Sequence, residues 1–320
     1  MGRFRQILRP LPFLVAIAVA TGCSEDAPSK PTPPPIPAPD TASPAPPATP
    51  FDNKLRVLTY NVLADPTFHE HLRVPALLDI LEASGADVIA LQEVAPWFID
   101  SLRRRPWTKS YHFSRHGGEV VAPGGDLILS RYPIRSSRYV ELPSEQRRGV
   151  LWSEIELGAE VLAVATVHLE SPLEDGPLRR KQLERVFEIL ADYPRAILLG
   201  DFNFGDGEAE GAAIPSLYSD PWRGLNPDAP GYTWDMERSQ MAREGAFAGE
   251  QSRRLDRILV RWPGSEPRKA TIIGNRPVAV PGVFPSDHFG LVAEVGLPVL
   301  GREDPTVTPR IPRSGTEASR

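Results

Sequence analysis

Five apolar, strand-like runs in this chain end or begin on polar residues that a core would not select: Asn61, Glu93, His168, Asp201 with Asn203, and Asp287 with His288. Polar residues at the ends of apolar strands commonly converge on one rim of a sheet. A buried carboxylate without a partner is costly there, so a cation or a hydrogen-bond network is implied. Asn61, Glu93 and Asp287 offer hard oxygen ligands of the kind that suit Mg2+ or Mn2+, ions that keep waters and bind phosphates beside one or two carboxylates. Asp201 with Asn203, in the run GDFN, can position and deprotonate a water. His168 and His288 can donate to oxygens whose charge rises in a phosphoryl transition state. Asp256, in RRLDRILV, can hold an imidazole in one tautomer. His69, His71, His112 and His116 sit in turn-like segments without an obvious acidic partner and read as ordinary surface or core histidines, although His69 and His71 could pair on one side of a strand.

These groups need apolar elements to hold them. LRVLTYNV reads as a buried strand, and VPALLDILEAS carries apolar positions at helical spacing. ADVIALQEV is a further apolar, β-branched run ending in a carboxylate, and DLILSRYPI, VLWSEIEL and VLAVATVHLE follow as strands. RRKQLERVFEIL reads as an amphipathic helix with Leu183, Val186, Phe187 and Leu190 on one side, and AILLGDFN, LDRILV, ATIIG and GLVAEVGL complete the set. Many strands interspersed with a few helices predict an α/β (α+β) fold, a layered sandwich of sheets with helices outside. Residues 53–297 contain no second proline-rich break and no evident repeat, so one domain is expected.

Taken together and in this order, TYNV, LQEV, LILSRYPI, VHLES, GDFN, RLDRI and PSDHFGL resemble the endonuclease/exonuclease/phosphatase superfamily, from Thr59 to Leu291. The resemblance implies a four-layered α/β/β/α sandwich like that of pancreatic deoxyribonuclease, with the site at the sheet edges and Mg2+-dependent hydrolysis of a phosphoester. It implies that Glu93 is the principal metal ligand with Asn61 its neighbour, and that Asp287 is a metal or water ligand. Asp201 would activate water while Asn203 orients the phosphate. His288, buttressed by Asp256, would contact the scissile phosphate, with His168 as a second phosphate-stabilising histidine. Within the superfamily, VHLES followed by Arg179, Gln182 and Leu183, then GYTWD and RRLDRI, resembles the 5′-tyrosyl-DNA phosphodiesterase branch. That places Ser171 on phosphate and Trp234 near the substrate, core packing being the alternative for Trp234. Leu63 stands where the branch commonly carries an aspartate, and Asp65 is out of register with that position.

The ends and the composition frame the function. The 320 residues include 36 prolines and one cysteine, with a formal net charge of −5. One cysteine forms no internal disulfide and builds no cysteine-rich zinc site. The mild acidity argues against a protein that coats nucleic acid through bulk positive charge. A content of 41% hydrophobic and 8% aromatic residues excludes wholesale disorder. Arg3, Arg5 and Arg9 precede the apolar run LPFLVAIAVATG, whose 12 residues fall short of the roughly 20 that span a bilayer. This reads as an export signal. Ala20, Thr21, Gly22 and Cys23 resemble the lipobox of bacterial lipoproteins, which implies a signal peptide at 1–22 and an acylated Cys23. Cleavage there removes three arginines and no acid, taking the formal charge from −5 to −8. Ser24 points to the outer rather than the inner membrane in a Gram-negative host, and plain secretion is the alternative.

Eleven of residues 24–50 are proline, so 23–52 is expected to be a disordered polyproline-type tether. At about 3.1 Å per residue it reaches roughly 80 Å. Residues 298–320 are expected to be a disordered tail. The clusters Arg103–Arg105, Arg147–Arg148, Arg179–Lys181 and Arg253–Arg254 can meet phosphates locally, and Arg179 stands out because it follows the VHLES loop. The expected function is therefore an exported, lipid-anchored, divalent-metal-dependent phosphodiesterase acting on nucleic acid, DNA above all, as a monomer. The alternatives are a phospholipid or sphingomyelin phosphodiesterase, a sugar-phosphate phosphatase, or a surface binding module that keeps only the fold.

Overall fold

The computed structural model describes residues 50–278 and 280–298. The expected signal peptide, Cys23, all but three residues of the tether and all but one of the tail lie outside the described residues. Among the described residues the elements follow as β1 (Lys54–Asn61), α1 (Glu70–Ser84), β2 (Val88–Gln92), α2 (Pro96–Arg103), β3 (His112–Phe113), β4 (Leu127–Ser130), β5 (Ile134–Glu141), β6 (Gly149–Leu157) and β7 (Glu160–His168). After these come α3 (Gly176–Leu190), β8 (Ala196–Asp201), α4 (Pro221–Leu225), α5 (Gln240–Gly245), β9 (Asp256–Arg261), β10 (Glu266–Ile273) and β11 (Gly290–Gly296). They form a six-stranded sheet ordered β10-β11-β1-β2-β4-β3 and a five-stranded sheet ordered β5-β6-β7-β8-β9.

Each sheet contains one parallel pair, β1 with β2 and β7 with β8, and every other pairing is antiparallel. A parallel pair needs a crossover, which α1 and α3 supply. Side-chain alternation along the strands then sorts the layers. Leu55 and Val57 of β1 pack with Ile197 and Leu199 of β8 in the core between the sheets. Leu58 and Tyr60 turn the other way, onto Leu77 and Leu81 of α1 and Phe98 of α2. Ala196 and Leu198 of β8 face Leu183, Val186 and Leu190 of α3. The result is helix, sheet, sheet, helix. Period two also decides the chemistry. Counting on from the inward residues, Asn61, Gln92, His168, Asp201 and Asp256 all fall on inward parity at one end of their strands.

Two elements differ from the sequence reading. DLILSRYPI was expected as one strand, yet β4 and β5 belong to different sheets. Pro133 lacks the N–H that a continuing ladder needs, and Tyr132 instead donates its backbone N–H to Ser130 Oγ at 3.0 Å, turning the chain between sheets. The first helix begins at Glu70, ahead of the apolar stretch, and carries Pro75 inside it.

Candidate active site

Asn61 joins the two sheets. From the end of β1, its Nδ2 donates to Glu93 Oε1 at 3.0 Å and to Asp201 Oδ2 at 3.1 Å, while its Oδ1 accepts from the Leu63 amide at 3.2 Å. One layer deeper, Thr59 Oγ1 donates to Gln92 Oε1 at 3.3 Å, and Gln92 Nε2 donates to Thr166 Oγ1 at 2.8 Å across the sheets. Gln92 was not singled out by sequence reasoning, although it shares the inward parity of Val88 and Ala90.

Glu93 lies just past β2 with φ 56°, a left-handed conformation that costs a non-glycine residue roughly 1–3 kcal/mol. A backbone clamp holds it: the Val94 amide donates to the Gly125 carbonyl at 2.8 Å. A Cβ on Gly125 would sit 3.1 Å from Val94 N and 3.2 Å from Glu93 Cα, so this close approach requires glycine. Asp201 ends β8, directly after Gly200, where a Cβ would lie 2.0 Å from the Val167 carbonyl oxygen. Asp201 Oδ1 accepts from the Asn203 amide at 3.0 Å, leaving Oδ2 to face the site.

Around Asp201 Oδ2 stand Asn61 Nδ2, His168 Nε2 at 3.4 Å and His288 Nε2 at 3.6 Å. Burial pushes the Asp201 carboxyl up, opposed by His288. A raised carboxylate is a stronger base, which suits proton abstraction from water. The two histidines are pushed in opposite directions. Burial and Arg148 push His168 well below the ordinary imidazole range, which favours its neutral form. Burial also works against the His288 imidazolium, but Asp256, Asp201 and Asp287 outweigh it and raise it well above that range. His288 Nδ1 donates to Asp256 Oδ2 at 2.9 Å.

The remaining expected residues divide. Ser171 Oγ accepts from Arg148 Nη2 at 2.8 Å, at the rim. Asn203 Nδ2 donates to the Leu169 carbonyl at 2.9 Å and so braces the loop after β7. Trp234 packs on Ala242 and Leu255, and its ring lies 4.9 Å from the His288 ring. Arg179 is a correction. It is 1% exposed, its Nε donates to Glu210 Oε1 at 2.9 Å, and its other nitrogens serve the carbonyls of Glu170, Pro172 and Leu173. A guanidinium so fully used has nothing left for substrate. It clamps the VHLES loop instead.

Arg254 is turned inward as well, to Asp206 and Asp220. Asp206 accepts from Arg254, Arg257 and Arg223, tying the turn after GDFN to β9 and its lead-in. Burial works to raise the Asp206 carboxyl, but the three arginines hold it well below the usual range. A depressed folded-state value contributes stability that is present above the unfolded pKa and lost as pH falls toward the folded one. Asp206→Asn is therefore expected to lower unfolding free energy at neutral pH by about 2 kcal/mol, the scale of charge-assisted hydrogen bonds to a carboxylate open to solvent. Urea titrations should show the wild-type and variant curves converging below about pH 4, where an unfolded aspartate protonates; parallel curves would remove this account.

Arg148, read from the sequence only as half of a basic cluster, reaches the site with Nη1 2.8 Å from His168 Nδ1. A count along the hairpin narrows the search: Leu157 pairs with Glu160 and Val150 with Val167, which sets Gly149 opposite His168 and Arg148 next to it.

Asp201, Asp256 and His288 bring ligand-capable atoms within 4.8 Å of one another. Both nitrogens of His288 are committed there, to Asp256 and toward Asp201, an arrangement suited to moving protons. The corner of Glu93 and Asp287 has the better donor set for a hard divalent cation. Burial and the Asp287 charge both push the Glu93 carboxyl up, the mark of neighbouring acids short of positive charge.

The sequence model of the Endonuclease/Exonuclease/phosphatase family matches residues 58–288. Tyrosyl-DNA phosphodiesterase 2 of Xenopus laevis is 31% identical over 251 residues, covering 75% of this chain and 66% of that protein. The Homo sapiens protein of the same name is 28% identical over 235 residues, 70% of this chain and 63% of its own. The chain thus spans about two thirds of the length of these curated relatives. Among solved structures, D. rerio TDP2 complexed with single strand DNA product is similar with a TM-score of 0.66 and 26% identity, covering 76% of this chain and 99% of that one. Sphingomyelinase C from Streptomyces griseocarneus shares the fold at a TM-score of 0.55 and 19% identity, over 75% of this chain and 99% of that one.

Proposed function

Because the chain belongs to the endonuclease/exonuclease/phosphatase family, we propose that it is a divalent-metal-dependent phosphodiesterase acting on DNA. The observation that carries this reading is the surround of Asp201 Oδ2: an amide donor, two imidazole Nε2 atoms and, behind one imidazole, the Asp256 carboxylate. Asp201 takes a proton from water, and the hydroxide oxygen forms its bond to phosphorus as the bond to the leaving oxygen breaks. Charge rises on the non-bridging oxygens, where the His288 imidazolium and the His168 N–H donate. Glu93 and Asp287, with Asn61 beside them, would hold the cation, which when bound supplies Lewis-acid neutralisation of the phosphate. The relatives named tyrosyl-DNA phosphodiesterase 2, one of them bound to a single-strand DNA product, support DNA as the substrate.

The test offers the purified protein a 5′-tyrosyl oligonucleotide, single- and double-stranded DNA, sphingomyelin and a bis-aryl phosphate, with Mg2+ or Mn2+ and with chelator. Metal-dependent cleavage of a DNA substrate is expected. If wild type matches Asp201→Asn on every substrate and chelator changes nothing, the hydrolase reading falls; cleavage of sphingomyelin alone would move the substrate to lipid.

We further propose export and acylation at Cys23, on the strength of the basic start, the short apolar run and the Ala20-Thr21-Gly22-Cys23 ending. Cys23→Ser should shift the protein from membrane to soluble fractions, and unchanged partitioning would sink the anchor.

A further inference from the structure

The mechanism asks His168 for a hydrogen-bond donor aimed at the phosphate, and a neutral imidazole has only one. We propose that Arg148 is a positioning residue that fixes His168 as the tautomer with its proton on Nε2, so that the donor faces the reacting phosphate. The consequence for catalysis rests on the hydrolase reading above; the geometry stands without it.

Arg148 Nη1 lies 2.8 Å from His168 Nδ1. A guanidinium has five N–H donors, no acceptor, and no accessible deprotonated form. Nδ1 must therefore accept, and the ring proton is left to Nε2. That atom lies 3.4 Å from Asp201 Oδ2 and 4.0 Å from Glu93 Oε1, inside the site. Which nitrogen carries the proton is set by the bond the other one makes.

The guanidinium is itself held in place. Nη2 donates to Ser171 Oγ at 2.8 Å and to Gln146 Oε1 at 3.3 Å, and Gln146 Oε1 also takes the Ser171 amide at 2.8 Å. The Arg148 amide donates to Ser144 Oγ at 2.9 Å, and that hydroxyl donates to Glu170 Oε2 at 2.7 Å. Glu170 is fully buried and also accepts from the Glu145 amide and Gln182 Nε2. Arg147 turns the chain at φ 62°, a conformation that a non-glycine residue holds at a cost. A loop latched at this many points places one planar fork against one ring nitrogen.

The experiment labels histidines with 15N and reads His168 in a long-range proton–nitrogen correlation spectrum, assigned with His168→Gln. In wild type and in Arg148→Lys, Nδ1 is expected as the unprotonated, pyridine-type nitrogen and Nε2 as the protonated one. In Arg148→Ala the two signatures should average or exchange, and kcat should fall about 10–100-fold with KM little changed, the usual cost of losing a group that orients a site residue. Methylguanidine should restore both the spectrum and part of kcat. Wild-type His168 protonated on Nδ1 would overturn the proposal, as would Arg148→Ala with an unchanged spectrum and wild-type kcat. If Arg148→Ala does not fold, the wild-type spectrum alone decides the tautomer. An inactive wild type with the expected spectrum would fell the hydrolase reading and leave the tautomer standing.

Discussion

Asp201→Asn is expected to lower kcat by about 10³-fold or more while the protein stays folded, because a positioned base is worth roughly 10²–10⁴-fold. The replacement keeps the shape. Its carbonyl oxygen can still accept from the Asn203 amide, as Asp201 Oδ1 does at 3.0 Å. What changes is the atom facing the site. Asn61 Nδ2, His168 Nε2 and His288 Nε2 surround Oδ2, and an amide nitrogen there would set a donor against donors. It can take no proton from water. Stability should hold, since burial already disfavours the carboxylate's charge at this position. Single-turnover cleavage of a 5′-tyrosyl oligonucleotide, beside thermal unfolding, checks both halves. Activity within tenfold of wild type would remove Asp201 from the role of base.

Asp256→Asn is expected to cost about 10³–10⁴-fold in kcat, the scale seen when the acid behind a catalytic imidazole becomes an amide. Asp256 is fully buried, and its second oxygen, Oδ1, has no hydrogen-bond partner among the described residues, so its charge is directed at His288. An asparagine would either present its amide to Nδ1, forcing that nitrogen to accept, or present a neutral carbonyl that supports the imidazolium poorly. The Asp256 backbone amide still donates to Thr233 Oγ1 in either case, so the strand start is kept. Residues that act as one unit are non-additive. The double variant Asp256→Asn/His288→Gln should therefore be no worse than His288→Gln alone. A fully multiplicative loss would show that the two residues work separately.

Much of this site was legible in the sequence because its residues announce themselves by contrast. Asn61, His168 and Asp201 stand at the close of apolar runs whose alternating pattern both makes the strand and decides which face the last residue takes, while Glu93, one residue past its strand, has a left-handed backbone that the pattern does not foretell. Asp256 and His288 were legible through the motifs around them. Arg179 was misread because the partner that consumes it, Glu210, lies 31 residues away in a short turn with no pattern of its own. Arg148 was overlooked because its meaning depends on strand register. A basic pair beside a turn looks like surface until the hairpin is paired. DLILSRYPI failed for a related reason: its local propensity is strand throughout, and only the packing of two sheets requires it to break at Pro133.

The order of the strands has a consequence for how the molecule comes into being. β11 pairs with β1 on one side and β10 on the other, and Asp287 and His288 stand just before it. The first strand made thus waits beside a gap that the last strand made must fill. A ribosome paused between residues 202 and 287 holds a chain with Asp201 but without His288. The site is therefore completed only as synthesis of the domain ends.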